Sequence, residues 1–160
     1  MITIMTRLQA RRSERGASAV EFALLAPIFF MIVFGIISFG FVFAQQLGLS
    51  NGARQAARGG VVKGATCKQI YQDAQDTSGT VGMSGSSVSV TITRGATAAA
   101  ATNACGATPA TSTTQPCTGS AAGDSLFVTT SFTSQLIIPP VIFKSSYPIN
   151  ATGAYECEFS

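Results

Sequence analysis

Seven carboxylates, four cysteines and not one histidine or tryptophan set the chemistry open to this chain of 160 residues. Without histidine there is no His-activated nucleophile, and a zinc site would want close cysteine pairs in place of His partners. Cys67, Cys105, Cys117 and Cys157 are too widely spaced for the close C-x-x-C pairs such a site uses. Asp73 and Asp76 read as a solvated helix face, and Asp124, Glu156 and Glu158 offer no built acid–base pair. No serine sits in a nucleophile elbow, and Gly79 to Gly85 reads as a turn, not as a phosphate loop. The sequence therefore predicts no enzyme, no metal, no cofactor and no small-molecule substrate. One spacing stands out instead: Gly16 lies five positions before Glu21, between a basic tail and a long apolar run.

The element that must position this pair is the apolar run itself. From Phe22 to Ala44 no residue is charged, and Ser38 supplies the one strongly polar group. At about 1.5 Å per residue a helix over this stretch is about 35 Å long, enough for a hydrocarbon core of roughly 30 Å. Arg7, Arg11, Arg12 and Arg15, set against Glu14, account for the whole net charge of +3. Basic residues on the N-terminal side predict a cytoplasmic N-terminus and export of everything from about Gln45 onward. A charge confined to a tail argues against a nucleic-acid binder, whose Lys and Arg cover a folded face. A cleaved secretory signal competes, with Val42-Phe43-Ala44 as its cleavage site, but its apolar core spans about 7–15 residues and this run is longer.

Helix periodicity continues past the span to about Gly59, with Leu47, Leu49, Ala53, Ala56 and Ala57 forming a small-residue face. Pro27 removes a helix hydrogen bond and predicts a local kink, while Gly35 and Gly40 permit close approach of a second helix. A short helix is expected from about Thr66 to Asp76, where Cys67, Ile70, Tyr71 and Ala74 form one stripe. Three strands follow by alternation: Val88–Thr93, Ser125–Ser134 and Tyr147–Phe159. Their dry face needs a cover, which the upstream helices supply. Between the first two strands lies an uncharged Ala/Thr-rich stretch, Gly95 to Gly123, too long for a hairpin unless pinned. Leu136 to Phe143 reads as an apolar connector that tucks beneath the sheet or meets the upper part of the long helix, the alternative being a partner-docking or membrane-grazing surface.

All four cysteines follow the span, consistent with an oxidising compartment and two disulfides, for which three connectivities exist on paper. A Cys105–Cys117 bond would pin the long loop, at roughly 3 kcal/mol by the loop-entropy model. Cys67 would then join Cys157, both lying on apolar faces of their elements. This pairing is the expectation.

The entry of the chain into its apolar run, Arg15-Gly16-Ala17-Ser18-Ala19-Val20-Glu21-Phe22, resembles the processing site of type IV pilin-like proteins. That resemblance implies a prepilin peptidase cutting between Gly16 and Ala17, leaving Glu21 as the fifth mature residue. Glycine gives a protease a side-chain-free bond to approach, and cleavage creates an α-amino group that is largely cationic at neutral pH. A carboxylate at Glu21 is costly in an apolar bundle unless a cation meets it, and the Ala17 ammonium of a neighbouring subunit would do so. The alternative is an ordinary interfacial acid.

More narrowly, residues 15–62 resemble the TadE-like family, pseudopilins of the tight-adherence (Flp) pilus system of bacteria. Gly16, Glu21-Phe22-Ala23, Pro27, Gly35, Ala53-Arg54 and Ala57-Arg58 carry the resemblance. The Gly59-Gly60 pair and the cysteine-bearing Ala/Thr insertion depart from the family pattern. Arg54 and Arg58, four apart, share a helix face and would contact another pilus component; the plainer account is favourable placement near a helix C-terminus.

The expected architecture is α+β: a leader over residues 1–16, a transmembrane and extended helix over 17–60, and an extracytoplasmic domain over 61–160 with a short helix and a three-stranded antiparallel sheet. The resemblance implies a pseudopilin or minor pilin of the bacterial inner membrane, packing through Phe22, Pro27, Gly35 and Gly40. Its partners would be other pilins, the prepilin peptidase, an inner-membrane assembly platform and its ATPase. The alternative function is a permanently anchored extracytoplasmic binding module.

Overall fold

The structure, a computed structural model, describes residues 2–80, 82–135 and 146–158, with side chains from Gly16 onward. The predicted apolar connector Leu136–Phe143 and the final Phe159 lie outside the described residues. Helix α1 runs from Ile2 to Gly60 and includes Pro27. Its end matches the expected position, but its start is far earlier than Ala17. Residues 2–15 contain no proline or glycine to stop a helix, and their four arginines are good helix formers, so the helix extends N-terminally. The chain forms two compact units, Met1–Phe39 and Gly40–Ser160.

The first unit is a helix whose apolar side chains face outward. Phe22, Leu24, Leu25, Ile28 and Phe29 are each at least three-fifths exposed. The span Gly16–Gly60 has a mean hydropathy of 2.6 in its most apolar window, of which 6% is buried. Such a helix is long and apolar enough to cross a membrane.

The second unit begins with the last turns of α1. Helix α2, Cys67–Ser78, follows a short turn. Thr66 caps it: its hydroxyl accepts from the Gln69 N–H at 3.4 Å, and the Gln69 side-chain oxygen accepts from the Thr66 N–H at 3.0 Å. Cys67, Ile70, Ala74 and Ser78 are buried and Tyr71 is half-buried, as the stripe required. After a three-residue 3-10 turn, Gly85–Ser87, come strands β1 (Ser89–Gly95), β2 (Thr102–Asn103), β3 (Ser125–Gln135) and β4 (Ser146–Glu156).

The sheet is antiparallel in the order β2-β1-β3-β4, four strands where three were expected. The extra strand is the pair Thr102-Asn103, which returns from the loop to bond Thr93 and Arg94 of β1. Two residues carry no alternation, so periodicity cannot reveal them. The dry face presents Val90 and Ile92 from β1, Leu126 and Val128 from β3, and Ala151 and Gly153 from β4. Leu49, Ala53, Ala56 and Ala57 of α1 cover it, all fully buried, whereas Leu47 is half exposed and leaves the expected small-residue face.

Small residues set how closely α1 lies. A Cβ at Gly48 or Gly52 would collide with Thr80 or Ser78 at the end of α2, and one at Gly60 would strike Leu126 and Ile70. Gly153 meets the Ala53 backbone in the same way. Buried Thr130 donates to the Leu49 carbonyl at 3.0 Å, so the polar group inside this contact is satisfied. Gln46 reaches across to the Asn150 carbonyl at 2.7 Å.

The cysteines pair as Cys67–Cys105 and Cys117–Cys157, not as Cys105–Cys117 and Cys67–Cys157. The long loop is not tied to itself. It lies against the domain, where its carbonyls at Ser112 and Thr114 accept the Lys68 and Cys67 N–H groups, both at 2.9 Å. These are among the N–H groups a helix start leaves unpaired, so the loop docks where α2 needs acceptors. Arg94 grips the loop's far limb, donating to the Pro116 carbonyl at 2.7 Å and that of Thr118 at 2.8 Å. Docked at both limbs, the loop sets Cys105 beside α2 and Cys117 beside the end of β4.

Candidate assembly surfaces

Gly16, Ala17 and Glu21 all lie within α1 and are exposed. Nothing stands within 4 Å of where a Gly16 side chain would begin, and the same holds at Gly35 and Gly40. The glycines of α1 thus divide in two. Gly48, Gly52 and Gly60 are required by packing inside the domain, whereas Gly16, Gly35 and Gly40 answer to no neighbour among the described residues. A glycine in a helix interior costs about 1 kcal/mol relative to alanine, so three without an intrachain reason are a standing cost. Phe22 and Pro27 are likewise exposed.

A second surface lies on the domain. Asn51, Arg54, Gln55 and Arg58 follow i, i+3, i+4, i+7 on α1 and form the floor of an open groove of about 330 Å³. Thr77 of α2 and Tyr155 of β4 complete its lining. Tyr155 belongs to the strand's inward-facing set by alternation, yet it is 40% exposed. Arg54 and Arg58 are both exposed and form no ion pair or hydrogen bond among the described residues. Asp73 stands beside Gly59, outside the groove's lining, and pairs with neither arginine among the described residues. The sequence placed the two arginines on one face; it missed Asn51, Gln55, Thr77 and Tyr155, whose only local signal is the helical spacing of the first two.

No cluster of three metal-ligating side chains occurs among the described residues. The molecule is an apolar-helix protein bearing a small, disulfide-linked α+β domain against the end of that helix. Residues 16–58 match the family model described as TadE-like protein, so this segment of the chain is similar to that family. The match begins at Gly16 and ends at Arg58, spanning the Gly16/Glu21 spacing and both groove arginines. That family suggests a Tad pilus-related protein. No curated protein and no solved structure matches the chain significantly.

Proposed function

We propose that the chain is a pseudopilin or minor pilin that takes part in assembling a tight-adherence (Flp type IV) pilus, after prepilin-peptidase cleavage between Gly16 and Ala17. The observation that carries this is Gly16 itself. It opens the TadE-like segment, stands five residues before Glu21, and has no contact among the described residues that demands glycine. The bond to be cut lies within helix, and glycine's low helix propensity makes local opening there cheap.

Before cleavage the apolar part of α1 resides in the inner membrane, with the basic leader in the cytoplasm. The two disulfides on the far side of the span support an extracytoplasmic domain. Processing removes the leader's charge and leaves a cationic Ala17 amine to meet Glu21 of a neighbour as helices bundle through Gly35 and Gly40. The work is assembly with other pilins, the platform and its ATPase, driven by packing.

Intact-mass measurement and N-terminal sequencing of membrane-extracted protein test the reading. Wild type is expected to begin at Ala17, and Gly16→Ala to retain its leader. A wild-type chain that keeps Met1 or begins elsewhere would overturn it, leaving a permanently anchored module as the better account.

A further inference from the structure

We infer that the Arg54/Arg58 groove receives two acidic residues, Glu156 at the end of β4 and Glu158 just beyond it, from a second copy of this chain, joining subunits head to tail. The inference deepens the pilus reading by naming the groove's occupant.

The groove is built to receive negative charge. Two guanidiniums on one helix face are flanked by Asn51, Gln55, Thr77 and Tyr155, which carry hydrogen-bonding groups, and no carboxylate lines it. Arginine's planar fork suits a carboxylate, and charge-assisted pairs of this kind are stronger than neutral hydrogen bonds. Both arginines rise from one face of a fixed helix, so their spacing is set in advance and only the side chains themselves must be ordered when an anion docks.

The complement lies on the same molecule, outside the groove. Glu156 and Glu158 are exposed and have no ion pair among the described residues. Tyr155 lines the groove, so strand alternation turns neighbouring Glu156 to the opposite face. One copy therefore cannot easily fill its own groove, but it presents both halves of the contact on different surfaces. Such an interface is heterologous: each copy bonds one neighbour through its groove and another through its acidic end, and an arrangement that does not close extends as a filament.

A lipid headgroup is the competing anion, and position argues against it. Arg54 stands ten residues past Ala44, about 15 Å up the helix from the end of the apolar run. The headgroup layer is only about 5–7 Å deep on each side of the hydrocarbon core, so the groove clears it.

The test is a charge exchange in the full-length chain held in detergent, followed by sedimentation velocity over a concentration series. Arg54→Glu/Arg58→Glu and Glu156→Arg/Glu158→Arg are each expected to weaken self-association about tenfold or more, because attraction becomes repulsion. An equimolar mixture of the two variants is expected to recover wild-type assembly, since each groove then meets an opposite acidic or basic end. Recovery also proves that both variants fold. Added salt should weaken the wild-type and mixed assemblies alike. Self-association indifferent to all four substitutions, or lost in both variants and not recovered on mixing, overturns the proposal. So does a closed dimer that never extends, or an effect of the arginine changes confined to binding anionic vesicles. Cleavage after Gly16 is scored on the same samples: processing that persists while charge exchange has no effect refutes this contact and leaves the pilus reading standing.

Discussion

Gly153 of β4 runs directly beneath Ala53 of α1, with no room for a side chain between strand and helix. A valine there must push the helix away from Val128 and Leu126, which lie on the same face of the neighbouring strand. Overpacking of this kind costs about 1–3 kcal/mol, so Gly153→Val should lower the domain's urea midpoint accordingly. Gly35→Ala is the control. It meets nothing within 4 Å and replaces a poor helix former by a good one, so the midpoint should not fall. A Gly153→Val protein as stable as wild type would refute the close approach. These two glycines also mark what single residues disclose. Gly16 and Glu21 were legible because their relation is a distance along the chain. Gly153 was not, because its need for a missing side chain arises only when β4 and α1, a hundred residues apart, come together.

Elements were legible in proportion to the length of their pattern. The capped stripe of α2 and the alternation of β1, β3 and β4 span several repeats, and each appeared where periodicity placed it. The pairing of Cys105 was misjudged because an uncharged Ala/Thr loop gives no sign that it will dock. What docks it are backbone carbonyls and the grip of Arg94, and neither is a matter of side-chain pattern. Trypsin distinguishes the two connectivities cleanly. No Lys or Arg lies between Arg94 and Lys144, so Cys105 and Cys117 share one peptide, with Cys67 and Cys157 on two others. Bonds of Cys67 to Cys105 and Cys117 to Cys157 join all three peptides into one species without reductant. A free 95–144 peptide beside a Cys67–Cys157 pair would instead restore the sequence expectation. Each bond closes a loop near 40 residues, so replacing Cys67 and Cys105 together by serine should cost about 4 kcal/mol in the loop-entropy model, read as a lower urea midpoint.

At the scale of the molecule, the boundary between the two compact units lies inside a helix. Composition suggested a domain starting at residue 61, where the apolar helix gives way to turn and polar residues. The compact unit Gly40–Ser160 takes in the last turns of α1, which supply one wall of its core. Leu49, Ala53, Ala56 and Ala57 are fully buried there, against a sheet whose Leu126 and Val128 would otherwise face water. Burying one leucine is alone worth about 1.5–3 kcal/mol, a large share of a small domain's net stability. A fragment 40–160, sent to an oxidising compartment, should therefore be water-soluble, hold both disulfides and unfold cooperatively. A fragment 61–160 should aggregate or remain unfolded. The full chain, which keeps the exposed apolar side chains of Phe22 to Phe39, should require detergent. Equal solubility and cooperativity of the two fragments would show that α1 is only a tether. The predicted difference would show that one helix serves two solvents: its outward side chains meet lipid or neighbouring helices, and its last turns complete the folded domain.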